Sequence, residues 1–223
     1  MTDAEERAKQ PREPVLSPVD RVSEMLFGLF MAMTFVGAVS AATSGRDEIR
    51  MMFITALGCN LAWGLVDAVM YLVRTITERG RNLTLALAVR SAPDAEAGRK
   101  LVGESLSKVV AHLVSPTEIE AIRARIVALP SLPEGPALGK DDALAAVAIF
   151  LIVAASTFPV VIPFIVFEDV GTAMIASRLT ALAMLFLGGL ALGRYAGYGS
   201  WRTGFIMTGI GVALVVAIMA LGG

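Results

Sequence analysis

Met51–Val73 reads MMFITALGCNLAWGLVDAVMYLV, an apolar run interrupted by one charge, Asp67. A bilayer core of about 30 Å needs about 20 residues of helix, so this run is long enough to cross it. Four further apolar runs flank it: Met25–Thr43, Ala143–Phe167, Leu179–Leu192 continuing towards Tyr198, and Thr203–Leu221. Together they predict an all-α integral membrane protein with about five transmembrane helices. Pro159 and Pro163 fall inside the third run, and each removes a backbone donor. One kinked span and a re-entrant hairpin are both compatible with residues 143–167.

The bulk properties agree. Of 223 residues, 56% are hydrophobic and 17% charged, below the quarter usual for soluble domains. Mean hydropathy is +0.70. The net charge of −1 speaks against nucleic acid as a partner. A single cysteine, Cys59, rules out an internal disulfide. A single histidine, His112, argues against a histidine-rich zinc site or a serine–histidine triad. No Walker loop, HExxH or CxxC is present, and no nucleophile–base set is visible, so an enzyme is not expected. Residues 1–22 are polar and contain Asp3, Glu5 and Glu6, unlike a cleavable signal peptide.

The predicted layout is a polar tail over 1–22, spans one and two over 23–74, a small helical domain and linker over 75–140, and spans three to five over 141–223. Basic residues orient it. Arg7, Lys9, Arg12, Arg21, Arg194 and Arg202 fall on one side, and Arg46, Arg50 and Arg178 on the other. This places the N-terminus and the 75–140 domain in the cytoplasm and the C-terminus outside, in a membrane of bacterial inner-membrane type. Within 75–140 three helical pieces are expected: Thr77–Val89, Asp94–Val114, and a helix opened by the capping box Ser115-Pro116-Thr117-Glu118. Helices this short bury little alone, so they should dock on the membrane, the spans or a second subunit.

An ionisable group inside a span is a functional candidate by default. Asp67 lies about 7 Å from the middle of span two, at 1.5 Å per residue. Asn60, Gly64, Asp67, Met70, Tyr71 and Arg74 recur on one stripe at steps of three or four. A bare carboxylate facing lipid would cost a few kcal/mol, so this stripe should face the bundle or a wet cavity. The competing role for Asp67 is structural, as an ion pair with Arg74 two turns away. Glu24 opens span one, where an acid also suits the helix dipole. With span two antiparallel to span one, Glu24 and Asp67 can share a cavity. Met31 and Met70 lie on the faces of these acids, and thioether sulfur is a soft ligand suited to late or borderline metals. Gly189, Gly193 and Gly197 form a small-xxx-small stripe suited to helix packing within one subunit or between two.

Four segments carry a family resemblance: Ser23-Glu24-Met25-Leu26-Phe27-Gly28-Leu29, Gly58 with Gly64-Leu65-Val66-Asp67, Phe158-Pro159-Val160-Val161-Ile162-Pro163-Phe164, and Thr208-Gly209-Ile210-Gly211. In these, and in architecture over most of residues 20–223, the chain resembles the vacuolar iron transporter family, as a divergent bacterial-type member. The resemblance implies five spans, a cytoplasmic helical domain after span two, and a homodimer. It implies export of Fe²⁺ or Mn²⁺ from the cytoplasm in exchange for protons, with the metal as cargo and no resident cofactor. Glu24 stands where the family has aspartate. Asp67 stands where it has glutamate in a Gly-Glu-aromatic motif, here Val66-Asp67-Ala68. The metal ligands implied are Glu24, Asp67, Met70 and Met31. The alternative is a non-transporting membrane protein whose 75–140 domain docks a partner.

Overall fold

The computed structural model describes residues 16–39, 46–197 and 199–220, and every regular element among them is a helix. The helices are α1 (Pro18–Val39), α2 (Arg46–Arg90), α3 (Ala95–Ser105), α4 (Lys108–Leu113), α5 (Pro116–Ala128), α6 (Lys140–Val166), α7 (Val170–Ala196) and α8 (Ser200–Ala220). Four stretches are long and apolar enough to cross a membrane: Leu57–Arg90 in α2, Lys140–Val166, Val170–Ala196 and Ser200–Ala217. The chain is therefore a multi-pass membrane protein. The predicted first span, Met25–Thr43, is helical through Val39. Its last residues, and Leu221 of the final span, lie outside the described residues.

The chain divides into two compact units, one built of the residues up to Val69 with those from Asp141 onward, the other of Met70–Lys140. In the first unit, α1 presents Leu26, Leu29, Ala32, Met33 and Val36 at helical spacing. These pack on Val160 of α6 and on Ala181 and Leu185 of α7. α7 and α8 form a hairpin through the dipeptide region at Gly197 and Gly199, whose φ values of 74° and 85° lie in the left-handed region that favours glycine. A Cβ at Gly189 would stand 2.8 Å from the Gly204 Cα, and one at Gly193 2.6 Å from Thr203 Oγ1. The glycine stripe thus brings two helices of one chain together. Phe186, Trp201 and Phe205 stack at the edge of this seam.

Several boundaries differ from expectation. Thr77–Val89 is no separate helix but the continuation of span two. The change to polar residues near Arg74 alters where the helix can sit, not its backbone, and α2 ends only before Ser91-Ala92-Pro93-Asp94. Asp94–Val114 is two helices, because Ser107 turns extended and accepts the Val110 N–H as a new N-cap. Residues 143–166 lie in one helix that runs through both prolines, with no hairpin. α7 starts at Val170, capped by Asp169, so Arg178 lies two turns inside the helix and not in the preceding loop. The Asp169 carboxyl accepts from the hydroxyl and N–H of Thr172, which hold its pKa below the usual carboxylate range.

The second unit combines the polar end of α2 with α3, α4 and α5. The predicted capping box is formed: Glu118 N–H donates to Ser115 Oγ, and Ser115 N–H donates to Glu118 Oε2 at 2.7 Å. Glu120 on α5 receives Arg123 at 2.6 Å and Arg99 of α3 at 3.3 Å. The Arg123 hydrogen bond leads the causes that pull the Glu120 pKa down to about 2. Arg79 Nη1 donates to the Ala137 carbonyl at 2.6 Å, tying the proline-rich linker to α2.

Candidate functional site

Two helices of the first unit, α1 and α2, converge on the middle of α6. A Cβ at Gly28 of α1 would run into the Ser156 hydroxyl and stand 2.9 Å from the Val153 carbonyl, and one at Gly64 of α2 would stand 3.4 Å from Phe150 and Val153. The α1–α6 approach therefore needs a glycine at position 28, while α2 packs at ordinary contact distance. Towards the C-terminal end of α6, Asn60 Nδ2 donates to Thr157 Oγ1 at 3.1 Å. Moving from Asn60 to Gly64 therefore moves backwards along α6, so α2 is antiparallel to α6. Met25 and Leu26 meet Gly188, and Met33 meets Gly211 beside Leu185. This sets α1 antiparallel to α7, which itself folds back on α6.

The consequence for the two acids is direct. Glu24 lies one turn before Gly28, and Asp67 lies three residues after Gly64. Since α1 and α2 run in opposite senses, both acids fall on the Lys140 side of the glycine crossing, about 5–6 Å from it along their helices. Asp67 is half-buried and has no hydrogen bond or ion pair to any described residue. Glu24 is half-buried and already engaged with a partner. Met31 is half-buried on α1, on the far side of Gly28. Met70, the first residue of the second unit, is 45% exposed. Among the described residues, no three of histidine, cysteine, aspartate and glutamate converge as a metal-binding group.

The stripe predicted on α2 holds in part. Asn60, Gly64 and Ala68 form its buried line, with Asp67 and Tyr71 at its margin. Trp63, Val66, Val69 and Met70 face outward. Ala68, not part of the stripe predicted from sequence, belongs on its buried line.

Other polar residues were not singled out by sequence. Ser156 and Thr157 are buried on α6 and donate to the Val153 carbonyl at 2.8 and 3.2 Å. Ser177 of α7 is fully buried and donates to the Val160 carbonyl at 2.6 Å. Asp142 is 6% exposed in the first turn of α6, more deeply placed than either predicted acid, and it has a partner. The available signal was its position at the start of an apolar helix, where an acid suits the dipole. Two buried side-chain atoms lack any hydrogen-bond partner among the described residues: Asn60 Oδ1 and Arg178 Nε.

No protein-family model matches the chain, and no curated protein matches it. The class that fold and site define is a multi-pass helical membrane protein with an acid in a spanning helix, Asp67, that has no partner among the described residues.

Proposed function

We propose that this protein is a cation transporter, carrying a divalent metal, Fe²⁺ or Mn²⁺, out of the cytoplasm in exchange for protons. The observation that carries the reading is Asp67: a half-buried acid in a membrane-spanning helix with no partner among the described residues. A carboxylate used only for packing would be paired, because an unpaired one is costly at that depth. Glu24 lies on the same side of the glycine crossing. Two acids that share a site can bind a cation and release protons in the same event. Carboxylate oxygens suit Mn²⁺ and Fe²⁺. Water completes a shell that two acids leave open. The likeness to vacuolar iron transporters supports the same cargo, the same direction and a homodimer.

The test is metal uptake into proteoliposomes with and without a pH gradient. The expected result is Mn²⁺ or Fe²⁺ flux that the gradient drives, at least tenfold lower in Asp67→Asn and reduced in Glu24→Gln. Absence of flux in the wild type, or equal flux in all three proteins, overturns the reading.

A second reading rests on a separate observation. Val109 and Leu113 on α4 are 72% and 77% exposed, an apolar surface on the otherwise polar second unit. That surface suits docking of a partner, and it favours a non-transporting role if the flux experiment fails.

A further inference from the structure

The Asn60–Thr157 pair sits at the centre of the first unit, beyond the glycine crossing from the acids. Thr157 spends its hydroxyl proton on the Val153 carbonyl one turn back, a common habit of threonine in helices. It can then only accept from Asn60, which fixes the amide: Nδ2 faces Thr157, and Oδ1 is left over. Asn60 is 1% exposed, and Oδ1 has no hydrogen-bond partner. Unmet acceptors in a protein interior cost about 1–3 kcal/mol, and more where water is absent. Such a cost persists where the group has another use.

Thr157 and Ser156 share one acceptor, the Val153 carbonyl, so two hydroxyls gather on the α6 side of this crossing. Ser156 also donates its proton to the Val153 carbonyl, so its lone pairs are uncommitted. Pro159 has no N–H for the Ala155 carbonyl, and Pro163 has none for the carbonyl of Pro159. Ala155 is exposed, so these free carbonyls belong to the outward side of α6 and not to the face that meets Asn60.

We propose that the α1–α2–α6 crossing is a binding site for a monovalent cation of the sodium type, with Asn60 Oδ1 as its anchoring ligand and Thr157 and Ser156 as hydroxyl ligands. The charge of the ligands selects the ion. The amide and the hydroxyls are neutral, and a buried divalent charge needs carboxylates to offset its desolvation. Oδ1 is sealed from solvent, so no surface water meets it. Gly28 keeps the Ser156 side of the site free, since any Cβ there would run into the Ser156 hydroxyl. Asp67 lies two turns along α2, about 10 Å away, and supplies negative charge at a distance without ligating. The site is separate from the two acids and does not depend on the cargo proposed for them.

The experiment is thermal unfolding of the purified full chain in detergent, in NaCl and in choline chloride at equal ionic strength. The wild type is expected to gain unfolding temperature with Na⁺ in a saturable way that choline does not reproduce. Asn60→Leu is expected to need at least tenfold more Na⁺ for half of that rise. Should Asn60→Leu not fold, Thr157→Val, which keeps the shape of the side chain, decides in its place. Equal unfolding temperatures in the two salts mean a dry, unmet amide only, and overturn the proposal. So does a wild-type Na⁺ midpoint in the variant that decides.

Discussion

The first unit uses glycine twice to bring helices together, and the two seams end differently. Between α7 and α8, Gly189 meets the backbone of Gly204 and Thr203, and the one buried hydroxyl, Thr203, is satisfied by the Gly199 carbonyl at 3.0 Å. Between α1, α2 and α6, Gly28 allows a comparably close approach and Gly64 a looser one, and the seam holds Asn60, Ser156 and Thr157 and leaves one oxygen without a partner among the described residues. The same packing device therefore serves opposite ends. One seam is closed and purely structural. The other retains polarity that packing alone would have replaced with leucine or alanine. Asp67 lies beside the second seam and not the first.

The largest effect on this contrast is expected from Gly189→Val. Its Cβ would stand 2.8 Å from Gly204 Cα and from the Thr203 carbonyl, both backbone atoms that cannot swing aside. Overpacking of this kind costs about 3 kcal/mol, and thermal unfolding of the detergent-purified protein should show a markedly lower midpoint. A midpoint within a degree of the wild type would mean that the α7–α8 seam is not tight.

A smaller effect is expected from Gly28→Ala. Its nearest obstacle is the Ser156 hydroxyl, which can rotate, although the Val153 carbonyl at 2.9 Å cannot. The cost should be about 1 kcal/mol, and Gly28→Ala with Ser156→Ala should recover part of it. No recovery in the double variant would remove Ser156 as the group that Gly28 accommodates.

The smallest effect on either seam is expected from acid, which serves as the control. Glu120 has its folded pKa depressed to about 2 from 4.5. Its contribution is therefore complete above pH 4.5 and is lost as pH falls towards 2. Hydrogen exchange should show α3 and α5 losing protection over that window, while amides along α7 and α8 keep theirs. Parallel loss in both places would show that the seams are not independent of the second unit.

How far the sequence carried these conclusions depends on what each feature needs. Spans two and three were legible because hydrophobic length is a property of consecutive residues. The capping box at Ser115 was legible for the same reason, its partners lying three residues apart. Arg178 was misplaced because helix starts are set by caps such as Asp169, and the apolar pattern alone suggested a start at Leu179. Thr77–Val89 was split from span two because polarity was read as a break, though only Pro93 and its neighbours supply one. Asp67 stood out as a lone charge in an apolar run. The Asn60–Thr157 pair did not, since its two residues are 97 positions apart and each alone is an ordinary polar residue in a helix. The glycine stripe was visible, but whether it served one chain or two required Gly204 and Thr203 on the facing helix.

The proposed function rests on Asp67 binding a cation within the membrane. The most direct measurement is labelling of the reconstituted protein with dicyclohexylcarbodiimide, an apolar reagent that modifies protonated carboxyls inside bilayers, with the modified residue located by mass spectrometry of the peptide spanning Asp67. The account predicts modification at Asp67 that Mn²⁺ or Fe²⁺ suppresses in a concentration-dependent way. Labelling of Asp67 to the same extent with and without metal, or no labelling at Asp67 at all, would contradict it.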